Sequence, residues 1–175
     1  YKLIPNKYHL VVSRLEPENN IDIIIQGHLM KNKKYPLIIV GNIMKTVFVD
    51  HLLSLVTNKV IFIGGIYNKF ELEVIRANAL SYFHGHSVGG TNPSLLEAMA
   101  SKNICVCHDN RFNRSIIEDS GFYFKTQEDV SNIISKIENN DFSNYKEQVF
   151  EKVNTHFNWN NIVKLYANYF KKIAE

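Results

Sequence analysis

Phe83-His84-Gly85-His86-Ser87-Val88-Gly89-Gly90-Thr91-Asn92-Pro93-Ser94-Leu95-Leu96-Glu97-Ala98-Met99-Ala100 joins the end of a short apolar run to the start of a helix through a glycine-bearing loop. Gly89 and Gly90 permit positive φ and carry no side chain, so backbone amides can approach an anion closely. Asn92 before Pro93 marks a helix start with a mechanism: the side-chain oxygen caps the first free amides, and proline takes the first helical position. Such an end favours a negative charge by roughly 0.3–1 kcal/mol when exposed. The stretch therefore reads as strand, phosphate-accepting turn and helix. A glycine pair before a capped helix also serves as a plain tight turn, and that alternative stands beside the anion reading.

The same unit repeats on both sides of this stretch. Short runs rich in Val, Ile and Phe occur at Tyr8 to Ser13, Pro36 to Val40, Lys59 to Ile63, Ala79 to His84, Asn103 to His108 and Phe122 to Phe124, and they read as strands buried on both faces. Segments of helical period lie between them: Ile21, Ile24, Ile25 and Leu29; Phe48, Leu52, Leu55 and Val56; Val130, Ile133, Ile134 and Ile137. Crossovers of this length imply parallel neighbours, because parallel strands cannot be joined by a tight hairpin. The expected class is α/β: a Rossmann-like, doubly wound three-layer fold with a mostly parallel sheet of about six strands. After Ile137 two helices follow in succession, with stripes Phe142, Tyr145, Val149, Phe150, Val153 and then Trp159, Ile162, Tyr166, Tyr169, Phe170, Ile173. The second stripe is wide and aromatic; it serves either packing on the sheet or contact with a further domain.

Composition narrows the function. With 45% hydrophobic and 21% charged residues, the 175-residue chain suits one soluble globular domain, residues 1–175. Twenty Lys and Arg against seventeen Asp and Glu are dispersed, which disfavours nucleic acid as a partner. No apolar run is long enough to span a bilayer and no leader is recognisable, so a cytoplasmic setting is expected. Cys105 and Cys107 alternate along one run, so both point to one face; a disulfide between such close neighbours is geometrically poor, and buried free thiols are expected. Asn113-Arg114-Ser115 matches a glycosylation acceptor pattern, which in such a setting is coincidental.

In an open parallel sheet, ligands bind at the carboxyl ends of the strands, so the loops after them carry the candidates. Glu97 is the only charged residue from Ser94 to Ala100, and a carboxylate on so apolar a helix needs partners. It either complements the helix dipole or accepts hydrogen bonds from sugar hydroxyls at the mouth of the loop. Arg14, at the end of the first run, either meets an anion or pairs with Glu16 or Glu18. His84 and His86 are strand-end imidazoles satisfied by backbone, or, for His86, a ligand contact.

Leu96-Glu97-Ala98-Met99-Ala100 resembles the second half of the signature of the retaining family-four glycosyltransferases of GT-B architecture, and His84 to Pro93 looks like the variant loop of their bacterial rhamnosyltransferase-like members. Val12-Ser13-Arg14-Leu15, Val60 to Gly65, and Phe157-Asn158-Trp159 with the helix after it resemble three further family stretches, in order and over nearly the whole chain. The resemblance implies the donor-binding half of a two-domain enzyme. Its N-terminal acceptor domain would lie outside this chain, residues 158–175 would form the crossover helix, and the chain alone would be inactive. It also implies that Arg14 and the amides of Gly89, Gly90, Thr91 and Asn92 hold the donor diphosphate, that Glu97 grips the ribose, and that Gly65 and Tyr67, with Asn68, face the base. His86, Thr91 and Asn92 are the candidates nearest the sugar.

Two family positions differ. The first signature glutamate is Gly89, and the usual second cation of the diphosphate clamp is Asn19. The resemblance implies hexosyl transfer from a nucleoside-diphosphate sugar, such as dTDP-rhamnose, in bacterial polysaccharide synthesis, with peripheral membrane association of the full enzyme. No Asp-x-Asp pair occurs, so neither a divalent ion nor another cofactor is expected. The rival reading is a non-catalytic nucleotide-binding or protein-interaction module. A dinucleotide-dependent dehydrogenase is disfavoured because Ser13 to Glu18 contains no glycine.

Overall fold

The computed structural model describes residues 1–31 and 33–174. Six strands, β1 (His9–Val12), β2 (Leu37–Val40), β3 (Val60–Gly64), β4 (Ser81–His84), β5 (Ile104–His108) and β6 (Phe122–Phe124), form one sheet in the order β3-β2-β1-β4-β5-β6. All five pairings between neighbours are parallel. The helices are α1 (Ile21–Leu29), α2 (Val47–Ser54), α3 (Lys69–Ala77), α4 (Pro93–Ala100), α5 (Arg111–Ile117), α6 (Gln127–Ile137), α7 (Ser143–His156) and α8 (Trp159–Ala174), with a short 3-10 turn at Pro17–Asn19. This is a Rossmann-like three-layer α/β/α arrangement.

Strand alternation builds the two cores. Val11, Ile39, Phe83 and Val106 face α1, α2 and α6, whereas Leu10, Ile38, Tyr82 and Cys105 face the opposite way, toward α3, α4 and α7. Cys105 and Cys107 are free and buried on that second face, as their spacing implies. Thr46, Asn68, Asn92, Asn110 and Thr126 each cap the helix they precede through a side-chain oxygen, and Thr126 forms a reciprocal capping box with Asp129. At the amino ends of the strands, buried His9 bridges Ser81 Oγ (2.8 Å) and Glu138 Oε1 (3.3 Å), and Glu138 also accepts from the Lys34 and Tyr35 amides. Burial keeps His9 below the ordinary imidazole value. As a neutral ring it has one donor and one acceptor: Nε2–H donates to Glu138 and Nδ1 accepts from the Ser81 hydroxyl.

Three expectations need correction. β3 is not buried on both faces: it is an edge strand, and Ile61 is exposed. The aromatic stripe of the last helix does not pack on the sheet, for no described residue of α8 is buried and Trp159 is 82% exposed. His84 and His86 are not satisfied by backbone; both ring nitrogens of His84 and Nδ1 of His86 are buried without a partner among the described residues. The reading of residues 158–175 covers Glu175, which lies outside the described residues, as Asn32 does. No described helix is long and apolar enough to cross a membrane.

Candidate donor site

The order of the strands reverses between β1 and β4, and a crevice opens at the carboxyl ends of strands where such a reversal occurs. Here it is an open cleft of about 910 Å³ lined by the loops after β1, β2, β3 and β4. Arg14, Gly65, Tyr67, His86, Gly89, Asn92 and Glu97 all line it. Gly90 and Thr91 are exposed on the same loop but are not among the lining residues.

Two helix starts face this space. Thr46 caps α2 by accepting from the Val49 amide at 3.1 Å, and Asn92 caps α4 by accepting from the Ser94 amide at 3.0 Å, with Pro93 at the first helical position. Gly89 adopts φ +101°, a conformation that costs glycine little and other residues much. At neither Gly89 nor Gly90 would a Cβ meet an atom within 4 Å, so the loop tip is open space.

The root of that loop is held from both sides. Asn20 Nδ2 donates to the Gly85 carbonyl at 2.7 Å, and the amide and hydroxyl of Ser87 donate to the Glu18 carbonyl at 3.0 and 2.9 Å. A Cβ at Gly85 would collide with the Asn19 carbonyl, so the β1 and β4 loops touch backbone to backbone. From the other side, Asn110 and Asn113 both donate to the His86 carbonyl, at 2.9 and 3.1 Å. Asn113 is buried with its amide engaged in this way, which fits its glycosylation pattern being fortuitous.

Arg14 pairs with Glu16 at 3.1 Å, one of the two acidic neighbours the sequence offers it, and its side chain is 77% exposed. Asn19, standing where the family's second cation is expected, is buried and donates from Nδ2 to the Arg14 carbonyl at 2.8 Å, so it shapes the turn that carries Arg14. Glu97 has its partner in Arg76 of α3, Nη2 to Oε2 at 2.6 Å, with the arginine side chain 5% exposed and the carboxylate half-exposed. One carboxylate oxygen is thereby held from below. Sequence reading did not find Arg76, because its place in α3 says nothing of the helix beside it. Nor did it find Asn42, whose Oδ1 accepts from the Tyr67 hydroxyl at 2.7 Å and joins the β2 and β3 loops. The cap pattern at Thr46, Asn92 and Asn110 was the usable signal.

A profile of the family described as Glycosyl transferases group 1 matches residues 4–154. The chain belongs to the group 1 glycosyl transferases. Among curated proteins, no sequence matches it. Its fold is similar to that of sucrose-phosphate synthase from Thermosynechococcus elongatus, with TM-score 0.81 and 17% identity over 96% of this chain and 45% of that one. A glycosyltransferase from Rickettsia africae gives TM-score 0.79 and 15% identity over 96% and 48%. The C-terminal domain of a glycosyl transferase group 1 family protein from Francisella tularensis gives 0.75 and 19%, covering 89% of both chains. This group 1 transferase domain thus spans about half the length of the longer similar structures and nearly all of an isolated C-terminal domain.

Proposed function

We propose that the cleft binds a nucleoside-diphosphate sugar, and that this domain supplies the donor half of a glycosyl transfer to a glycan acceptor. The observation that carries this reading is the convergence, at the switch point of the sheet, of Arg14, two capped helix starts and a glycine loop. Arg14 leaves its exposed pair with Glu16 for the donor diphosphate, joined by the amides of Gly89 to Asn92. Together they stabilise the charge that develops on the leaving diphosphate, a task that needs no divalent ion in this arrangement. Glu97, held by Arg76, turns its free oxygen to the ribose; Gly65 and Tyr67, braced by Asn42, border the base; His86, Thr91 and Asn92 stand nearest the sugar.

The variant loop favours a deoxythymidine donor such as dTDP-rhamnose and a role in bacterial surface polysaccharide synthesis. With that donor the ribose has no 2′-hydroxyl, and Glu97 holds the 3′-hydroxyl alone. The acceptor belongs to a second, N-terminal domain, and the exposed rings of α8 support contact with such a domain. The single domain of residues 1–175, with 158–175 as crossover helix, is then one half of the enzyme and transfers no sugar alone. The test is a thermal-shift panel of nucleoside diphosphates and their sugars on wild type, Arg14→Ala and Glu97→Gln. A ligand at a hundredfold excess over Kd raises stability by about 2.7 kcal/mol. A shift that depends on both residues is expected; no shift with any nucleotide favours a protein-interaction module instead.

A further inference from the structure

Tyr82, His84 and His86 occupy alternate positions, and their rings form a column. Tyr82 and His84 lie 6.2 Å apart with planes 24° apart; His84 and His86 lie 4.3 Å apart with planes 11° apart. The column runs outward from the core, where Tyr82 is buried and its hydroxyl donates to the Val12 carbonyl at 3.1 Å, to the cleft that His86 lines. The middle ring is 1% exposed and has no hydrogen-bond partner at either nitrogen among the described residues. An unpaired buried donor or acceptor costs roughly 1–3 kcal/mol, so the ring can act here through its plane and not through hydrogen bonds.

The backbone of His86 is fixed at its carbonyl by Asn110 and Asn113, and its Nδ1 is buried without a partner among the described residues. That leaves Nε2 as the nitrogen a ligand in the cleft can meet. A lone pair on the buried nitrogen is less costly than an orphaned N–H, so the proton belongs on Nε2.

We propose that His84 is a positioning residue for the donor site: its ring, stacked beneath that of His86, sets the plane of the outer imidazole and turns the Nε2–H edge toward a phosphate oxygen of the donor. The proposal rests on the reading of the cleft as the nucleotide-sugar site. The charge state agrees with it. Burial, then the neighbouring His86, pushes His84 down to about 3; burial, then Arg14, lowers His86, while Glu18 opposes that shift. Both rings are neutral near pH 7, and neither repels the other across the stack.

Nitrogen-15 spectra of the imidazoles in the 175-residue chain report the tautomer and titration of His86, and calorimetry with UDP and dTDP reports affinity. In wild type, His86 is expected as the Nε2–H tautomer, titrating below the ordinary imidazole range. His84→Ala should mix the tautomers, move the His86 midpoint up toward the ordinary value and weaken nucleoside-diphosphate binding on the order of tenfold. His84→Phe keeps a ring under His86 without the two orphan nitrogens, so it should restore tautomer and affinity and melt no lower than wild type.

The proposal is overturned if His86 behaves identically in wild type and His84→Ala, or if His84→Phe binds as weakly as His84→Ala. The donor reading fails separately: a wild-type chain that binds neither nucleotide, yet shows the His86 change in His84→Ala, refutes the donor contact and leaves only the stack.

Discussion

Arg14 carries more of the proposed electrostatics than any other side chain, because Asn19 is occupied in shaping the turn and brings no charge. Charge-assisted hydrogen bonds contribute about 1.5–3 kcal/mol, so Arg14→Ala should weaken nucleoside-diphosphate binding by roughly ten- to a hundredfold. Its melting temperature should stay near that of wild type, since the pair it loses with Glu16 is solvent-exposed. Glu97 should behave differently. Glu97→Ala strands a buried guanidinium, and with the carboxylate half-exposed the cost should be about 1–2 kcal/mol, below that for a wholly buried pair. Adding Arg76→Met should recover the stability in urea unfolding but not the nucleotide affinity in calorimetry. A double variant that regains affinity would assign Glu97 to the α3–α4 contact alone.

At the scale of elements, α1 and α6 approach closely at Gly27, where a Cβ would collide with the Gln127 carbonyl and Val130. Gly27→Ala should therefore destabilise by about 1–3 kcal/mol through forced separation of the helices. The amino-terminal end of the sheet should respond to pH. Burial alone would raise Glu138, but hydrogen bonds from His9 and from the Lys34 and Tyr35 amides outweigh it and hold the carboxyl at about 2. The stabilisation this gives is complete above the ordinary glutamate value and is lost as pH falls from there toward 2. Urea unfolding of wild type and Glu138→Gln should differ most at neutral pH, by on the order of 3 kcal/mol, and converge as pH drops. Conversely, ending the chain after Phe157 should leave stability almost unchanged, because α8 buries no described residue.

These elements also show what the sequence could convey. The six strands were legible as apolar runs because parallel strands covered on both faces are apolar at most positions. Edge strand β3 is just as apolar yet leaves Ile61 exposed, since position in a sheet is a tertiary fact that a run of residues does not encode. Helices α3 and α5 offered no broad apolar stripe to name. The segment Lys69–Ala77 is half charged or polar, and Arg111–Ile117 is only seven residues long; their asparagine caps were the better signal. For the stripe of α8, both explanations were open in the sequence, and exposure rules out packing on the sheet.

For the whole molecule, strand order and loop chemistry meet at one place. The switch between β1 and β4 opens the cleft, and seven of the ten side chains or glycines named from the sequence line it, all but Asn68, Gly90 and Thr91. Loop positions were legible because α/β topology puts ligands at strand ends; the cross-links that tune them, Arg76 to Glu97, Asn42 to Tyr67 and Asn110 to His86, join segments far apart in the chain and left no local mark. The family match over residues 4–154 establishes a group 1 glycosyl transferase domain, and the central proposal is that this domain holds the donor by itself. Calorimetric titration of the 175-residue chain with UDP, dTDP and their sugars tests it most directly. Saturable one-to-one binding of at least one nucleoside diphosphate, weakened by Arg14→Ala, is the predicted result; no heat of binding with any of them, or binding indifferent to Arg14, would contradict it.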